Sequence, residues 1–336
     1  MPAALKVGIV GLGKQGLRHV QEIWLPSRYQ VSHYFDSEPK APPPGPLRVA
    51  SFEELLSPAL GINLVVITTP PESHFEYTRE ALARGKDVVV EKPTALTLEE
   101  AEALIELSDR QGCMIMTHFN RRWDADFLVV QRELAAGNLG RIHHFESRVS
   151  DEYDGSSTYP QRAEWKKRQP GGGILLDWAP HLLDQLFELF PEKTPLEISC
   201  QATRPNSLVD SQIEEQFVIH VVFDDFLAIL AATWNAALPL PRWYVLGTSG
   251  ALRLDAEPFQ GQRKCRIDGA LRDDPLSPMT ATSSFPTLVE EVLRDRALQR
   301  REKHRMRQVM HGLDLARRSA KERKLLPWDL DSIIRP

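Results

Sequence analysis

Cysteine is scarce: Cys113, Cys200 and Cys265 are the only three in 336 residues. They are odd in number, far apart and never in a C-x-x-C pair, which argues against a disulfide framework or a cysteine-based zinc module. Long apolar runs are also missing, and nothing approaches the ~18 consecutive apolar residues of a membrane-spanning helix. There is no excess of basic charge. The net charge is −5, so no field draws the chain to nucleic acid or to an anionic membrane surface. No internal repeat is visible. The opening residues, Met1-Pro2-Ala3-Ala4-Leu5-Lys6, lack the basic start and apolar middle of a secretory leader. Together with the sparse cysteine, this sets the expectation of a cytoplasmic protein.

What is present is the composition of a soluble globular chain, 42% hydrophobic and 26% charged. The length exceeds one typical core, so two domains are expected, 1–120 and 121–336. Near the start, the apolar strand at residues 6–10 runs into Gly11-Leu12-Gly13-Lys14-Gln15-Gly16, and a helix-like run follows to residue 24. G-x-G-x-x-G between a strand and a helix is a phosphate-binding turn in context. Gly11 permits the turn, Gly13 lets a pyrophosphate approach the backbone, and Gly16 lets helix and strand pack closely. The anion then meets unpaired N–H groups and the positive end of the helix dipole. These six residues are the first candidate cofactor contacts.

The next strand, residues 30–35, ends at Asp36, where an acidic residue holds the adenosine ribose. A carboxylate there accepts from ribose hydroxyls and repels a 2′-phosphate, so NAD is expected over NADP. The alternative is a turn aspartate at a strand end. Residues 38–46 carry five prolines and cannot form a crossover helix; an extended loop is expected. Capping-box spacings at Ser51-Phe52-Glu53-Glu54 and Thr97-Leu98-Glu99-Glu100 start two helices. Buried strands are read at 64–67, 88–90 and 113–116. The first is broken by Thr68-Thr69-Pro70-Pro71, with His74 in the first turn of the helix after it. The second runs straight into Glu91-Lys92-Pro93. This alternation predicts a doubly wound parallel sheet, with ligands at the carboxyl ends of its strands. Lys92 stands at such an end.

Several motifs together resemble the Gfo/Idh/MocA family, named for glucose–fructose oxidoreductase, inositol dehydrogenase and a rhizopine-catabolism protein. They are the glycine turn, Thr69-Pro70 with His74, Glu91-Lys92-Pro93, His118-Phe119-Asn120-Arg121-Arg122-Trp123, and Gly171-Gly172-Gly173 leading to Asp177-Trp178-Ala179-Pro180-His181. The likeness runs to about residue 255. The proline-rich loop departs from the family's usual helix.

The resemblance implies an α/β architecture: an N-terminal Rossmann domain and a C-terminal α+β domain with a large, mostly antiparallel open sheet. It implies an NAD(P)-dependent oxidoreductase acting on a sugar, polyol or inositol. Lys92, Asp177 and His181 are the implied catalytic residues. Thr68, Thr69, Pro70, His74, Glu91, Lys92, Asn120 and Trp165 join the glycine turn and Asp36 at the cofactor. Asn120, Arg122, Tyr153, Asp177 and His181 are implied at a polyhydroxylated substrate. It further implies a homodimer or homotetramer built through the C-terminal sheet. The other readings are a dinucleotide-binding sensor without turnover and a redox-neutral glycosidase that uses bound NAD.

The residues of the second half carry independent expectations. Asp177 suits an N-cap, which would put Pro180 in the first helical turn. Asp177, His181 and Gln185 then share one helix face. Strands are read at 141–148, 196–202, 213–223, 226–232, 243–246 and 251–254, with turns at Asp224-Asp225 and at residues 247–250. Residues 288–324 read as helical and rich in arginine and lysine, but without the interleaved aromatics of a nucleic-acid surface. No metal site is expected.

Overall fold

The computed structural model describes residues 5–24, 29–38, 44–152, 171–204, 213–236, 238, 240–255, 260–267 and 270–330. The chain divides into two compact units. One is Met1–Phe119 with Ser283–Met310, and the other is Asn120–Thr282 with His311–Pro336.

The first unit begins with β1 (Lys6–Val10) and α1 (Lys14–Arg18), which continues as a π-helical segment, His19–Trp24. Then come β2 (Gln30–Phe35), β3 (Leu47–Arg48), α2 (Phe52–Leu55), β4 (Leu64–Ile67), α3 (His74–Ala83), β5 (Asp87–Glu91), α4 (Leu98–Gln111) and β6 (Ile115–His118). The strands form one sheet in the order β3-β2-β1-β4-β5-β6, every pair parallel. Val7, Ile9, Leu64, Val65, Val66, Ile67, Val88, Val89 and Val90 are fully buried. Unbroken apolar strands are what a sheet covered on both faces requires. Strand order reverses between β1 and β4, the switch point at which such sheets bind ligands.

Both expected capping boxes form. The Ser51 and Thr97 hydroxyls accept from the Glu54 and Glu100 backbone N–H groups, and those glutamates accept from the N–H groups of Ala50 and Leu96. The proline-rich loop lies partly outside the described residues.

The second unit contains α5 (Ala125–Ala135), β7 (Ile142–Glu152), α6 (Ile174–Leu189), β8 (Glu197–Thr203), β9 (Gln216–Val222), β10 (Leu227–Ala236), β11 (Trp243–Gly247), β12 (Gly250–Asp255), β13 (Gln260–Ile267) and β14 (Ala270–Leu276). After α7 (Phe285–Arg294) and α8 (Arg296–Glu322), β15 (Leu326–Pro327) completes a sheet ordered β14-β13-β12-β11-β7-β10-β9-β8-β15. Only β7 and β10 pair in parallel; the other pairs are antiparallel. Alternate residues of β9 and β10, among them Phe217, Ile219, Val221, Ala228 and Leu230, are buried, and α6 packs on these two strands.

The contiguous division at residue 120 differs from the structure in one respect: residues 283–310 return to the first unit. The cause is packing and charge. Phe285 meets the rings of Trp24 and His118, and Tyr29 donates to Glu290. Lys303 donates to Asp109 at 2.6 Å, and Arg307 to Glu102 at 2.9 Å. The basic charge of α8 is thus partly spent on the acids of α4. Among the described residues, no helix is long and apolar enough to cross a membrane.

Candidate active site

The glycine turn is braced from two sides. Gly11 N–H donates to the Phe35 carbonyl at the end of β2, and Leu12 N–H donates to Asp36 Oδ2 at 2.6 Å. From β4, the Thr68 hydroxyl donates to the Gly11 carbonyl at 2.6 Å. Gly11 has φ +91, a left-handed conformation that favours glycine. A Cβ at Gly16 would run into the Gly11 carbonyl oxygen, whereas a Cβ at Gly13 would meet open space. The turn therefore needs Gly16 for its own packing, and Gly13 leaves a bare cradle in front of the helix. The residues present fit a dinucleotide pyrophosphate.

Asp36 is buried, and its Oδ1 accepts from Glu38 N–H at 2.9 Å.

At the other half of the sheet edge, His74 begins α3 and is 1% exposed. Its Nδ1 lies 2.8 Å from the Pro93 carbonyl and its Nε2 2.8 Å from the Thr69 carbonyl. Burial lowers its pKa against the opposing pull of those two oxygens. His74 thus ties the loop after β4 to the turn after β5. Lys92 is half-buried in that turn, and the Lys92-Pro93 peptide bond is cis.

Beside Lys92 lies a buried cluster that sequence reasoning missed. Glu91 Oε1 accepts from His19 Nε2 at 2.9 Å and from His118 Nδ1 at 2.8 Å. Trp24 Nε1–H donates to His19 Nδ1 at 3.0 Å. Burial pushes the His19 pKa down to about 4. Burial alone would raise Glu91, but its interactions with His118 and His19 outweigh it and hold the carboxyl well below its usual range. The register of β5 and β6, which pairs Glu91 with His118, was the one signal that could have been anticipated.

The cluster makes stability pH-dependent. Between about pH 6.5 and pH 4 an unfolded His19 takes a proton that the folded chain, with its pKa of about 4, refuses. The unfolded state then binds more protons, so stability falls as pH drops through that window, by on the order of 3 kcal/mol. Below the usual carboxylate range Glu91 adds to the loss in the same direction. Urea midpoints measured from pH 7 down to pH 4.5 check this: wild type declines, and His19→Gln, starting lower, declines less steeply.

In the second unit, α6 begins at Ile174 with Gly173, φ +103, as its N-cap. Asp177 is therefore inside the first turn rather than at the cap, and Pro180 lies in the helix interior. Glu214 causes the earlier start. Its carbonyl accepts from Ile174 N–H at 3.1 Å and its Oε1 from Leu175 N–H at 3.0 Å. Those bonds satisfy donors that a first helical turn leaves open. Asp177 and His181 are 7% and 6% exposed on this helix. The His181 ring lies edge-on to Trp178 at 5.6 Å, and the Arg121 guanidinium stands over that indole at 4.8 Å.

Gln185 is committed elsewhere: its Nε2 donates to the Arg121 carbonyl and its Oε1 accepts from Arg242. Arg122, 7% exposed, forms a two-point bridge to Asp184, Nε–Oδ2 2.9 Å and Nη2–Oδ1 2.6 Å. Asn120 opens the short 3₁₀ turn Asn120–Trp123. Tyr153 and Trp165 lie outside the described residues. The structure thus brings Asp177 and His181 together on α6 of the second unit, while Lys92 stands in the first.

A family description for oxidoreductases with an NAD-binding Rossmann fold, GFO_IDH_MocA, matches residues 5–119, and one for the GFO/IDH/MocA C-terminal domain matches residues 127–253. Fold and glycine turn define the class: an NAD-binding Rossmann protein of the oxidoreductase type. The chain belongs to the Gfo/Idh/MocA family. It is 37% identical over 192 residues to the uncharacterized oxidoreductase YdgJ of Escherichia coli, which covers 56% of this chain and 53% of that protein. It is 32% identical over 212 residues to the scyllo-inositol 2-dehydrogenase (NADP(+)) IolW of Bacillus subtilis, covering 60% and 56%. The chain spans about half the length of the curated relatives it matches. Among solved structures, an NAD-binding protein from Listeria innocua superposes with TM-score 0.85 at 26% identity, covering 96% of each chain. YPO2259 from Yersinia pestis gives 0.83 at 27%, covering 98% of each.

Proposed function

We propose that the chain is an NAD-dependent dehydrogenase of CH–OH groups whose substrate is a sugar, a polyol or an inositol. The observation that carries the cofactor half is Asp36, buried at the end of β2 with its carboxylate fixed on the glycine turn. An anion there disfavours the 2′-phosphate of NADP. IolW, whose name includes NADP(+), is a similar protein with the other nucleotide.

When bound, the cofactor supplies the hydride acceptor. His181 takes the proton of the substrate hydroxyl, the task of an imidazole acting as general base. Lys92 donates a hydrogen bond to the same oxygen and stabilises the charge growing on it. Asp177, one helical turn before His181, accepts from substrate hydroxyls or orients the imidazole. Asn120, Arg122 and Tyr153 are proposed at the remaining hydroxyls, and Trp165, Thr68, Thr69, Pro70, His74 and Glu91 at the cofactor. The outer face of the second sheet, where Val218, Val222 and Ile229 of β9 and β10 are half-buried, is the proposed surface for a homodimer or homotetramer.

The test is a panel of inositols, polyols and aldoses with NAD+ and with NADP+, following nicotinamide reduction. The reading expects reduction with NAD+ at a kcat/KM at least about tenfold above NADP+. A clear NADP+ preference would remove Asp36 from the role given to it.

A further inference from the structure

Glu91 has a setting that the proposed reaction does not use. It ends β5, one residue before Lys92, and is 7% exposed. Its Oε1 takes both imidazole N–H groups, and Oε2 takes neither. The protonation pattern follows from Trp24. An indole N–H can only donate, so His19 Nδ1 must present its lone pair, at 3.0 Å. His19 then carries its single proton on Nε2 and gives it to Glu91. The ring is neutral, and the carboxylate keeps its negative charge.

The same geometry argues against a metal at His19, Glu91 and His118, although their ligand atoms lie within 4.8 Å of one another. A metal on His19 Nε2 would move the ring proton to Nδ1, facing the Trp24 donor.

We propose that Glu91 is a fixed anion that selects the oxidised, cationic nicotinamide over the neutral reduced one, so that the site holds NAD+ in preference to NADH. The inference rests on the reading of this sheet edge as the cofactor site. In a doubly wound sheet the two halves each take one mononucleotide. The glycine turn and Asp36 occupy the adenosine half, which leaves the carboxyl ends of β4 to β6 for the nicotinamide half. Oxidised nicotinamide carries a positive charge that the reduced ring lacks. A unit charge about 10 Å away, at an effective dielectric near 20, shifts the ratio of the two affinities about tenfold. The same preference makes the bound ring about tenfold harder to reduce, so the anion sets occupancy by the oxidised cofactor and not the driving force of hydride transfer.

The experiment is calorimetric titration of the full chain with NAD+, NADH and ADP-ribose at pH 8.5, in wild type and Glu91→Gln. Glutamine keeps a carbonyl oxygen to accept both imidazole N–H groups. Wild type is expected to bind NAD+ at least as tightly as NADH. Glu91→Gln is expected to weaken NAD+ about tenfold while NADH and ADP-ribose stay within about twofold. A merely structural role would move NAD+ and NADH together, and that result would overturn the proposal. A second measurement needs no variant: nicotinic acid adenine dinucleotide, with its extra carboxylate on the pyridine ring, should bind wild type about tenfold more weakly than NAD+. Equal binding would contradict the fixed anion. Stoichiometric Zn2+ binding lost in Glu91→Gln would also overturn it. If even ADP-ribose failed to bind, the cofactor reading itself would fall and take the inference with it, a pattern distinct from the others.

Discussion

Lys92→Met lowers kcat for nicotinamide reduction by about 100- to 10,000-fold, the range spanned by a single positioned proton donor or charge stabiliser. Methionine keeps most of the aliphatic stem and removes the ammonium, so the half-buried position stays filled. The group is proposed to act on charge that appears only in the transition state. The loss should therefore fall on kcat, with NAD+, whose ring is cationic, bound no more weakly than by wild type. His181→Ala is expected to lose activity to a similar extent, and added imidazole should restore part of it, because the general base is then supplied from solution. Steady-state kinetics with calorimetric NAD+ binding checks both variants. Wild-type turnover in either one would remove that residue from the chemistry.

Asp184→Ala costs about 3–5 kcal/mol of stability, the price of leaving one partner of a buried pair alone. Arg122 and Asp184 have side-chain exposures of 7% and 1% and meet at two points. Without the carboxylate, a guanidinium that cannot deprotonate stays inside the second unit without its main counter-charge. A fall in Tm of about 10 °C is expected by thermal denaturation. The exposed pair Arg79–Glu76, 49% and 65% exposed, provides the contrast: screening leaves such pairs worth little, and Arg79→Ala should not move Tm resolvably. If Asp184→Ala melted like wild type, this bridge would not be what holds Arg122 in place.

The parts of this fold that could be read in advance are those encoded by neighbours in the chain. The all-apolar strands at 64–67 and 88–90, the two capping boxes and the glycine turn each depend on residues a few positions apart, and all of them form. The Asp224-Asp225 turn also forms, with Phe223 N–H donating to the Phe226 carbonyl. What could not be read depends on distant residues. Asp177 looked like a helix cap because Glu214, which draws the helix start back to Ile174, is far away in sequence. Strands β13 and β14 expose Gln262, Lys264, Arg266 and Leu271 and have no apolar alternation to reveal them.

The site was legible as residue types and less so as partnerships. Arg122 offers a charge that suits a hydroxylated ligand, and only the fold reveals Asp184 against it. Gln185 shares the helix face of His181 by spacing, yet its amide serves Arg121 and Arg242. Glu91 could be singled out beside Lys92, but His19 and Trp24 reach it from the helix after the glycine turn, a link that no local pattern carries.

The central claim is that hydride passes from a substrate carbinol to NAD+. The direct measurement is isotopic: incubate the protein and NAD+ with the active polyol or inositol deuterated at its carbinol carbons, and analyse the nicotinamide by mass spectrometry. The account predicts one deuterium in the reduced cofactor per turnover. Unreduced NAD+ with deuterium lost from the substrate to water would mark a redox-neutral cycle, and tightly bound NAD+ with no transfer at all would mark a sensor. Either result would contradict the dehydrogenase.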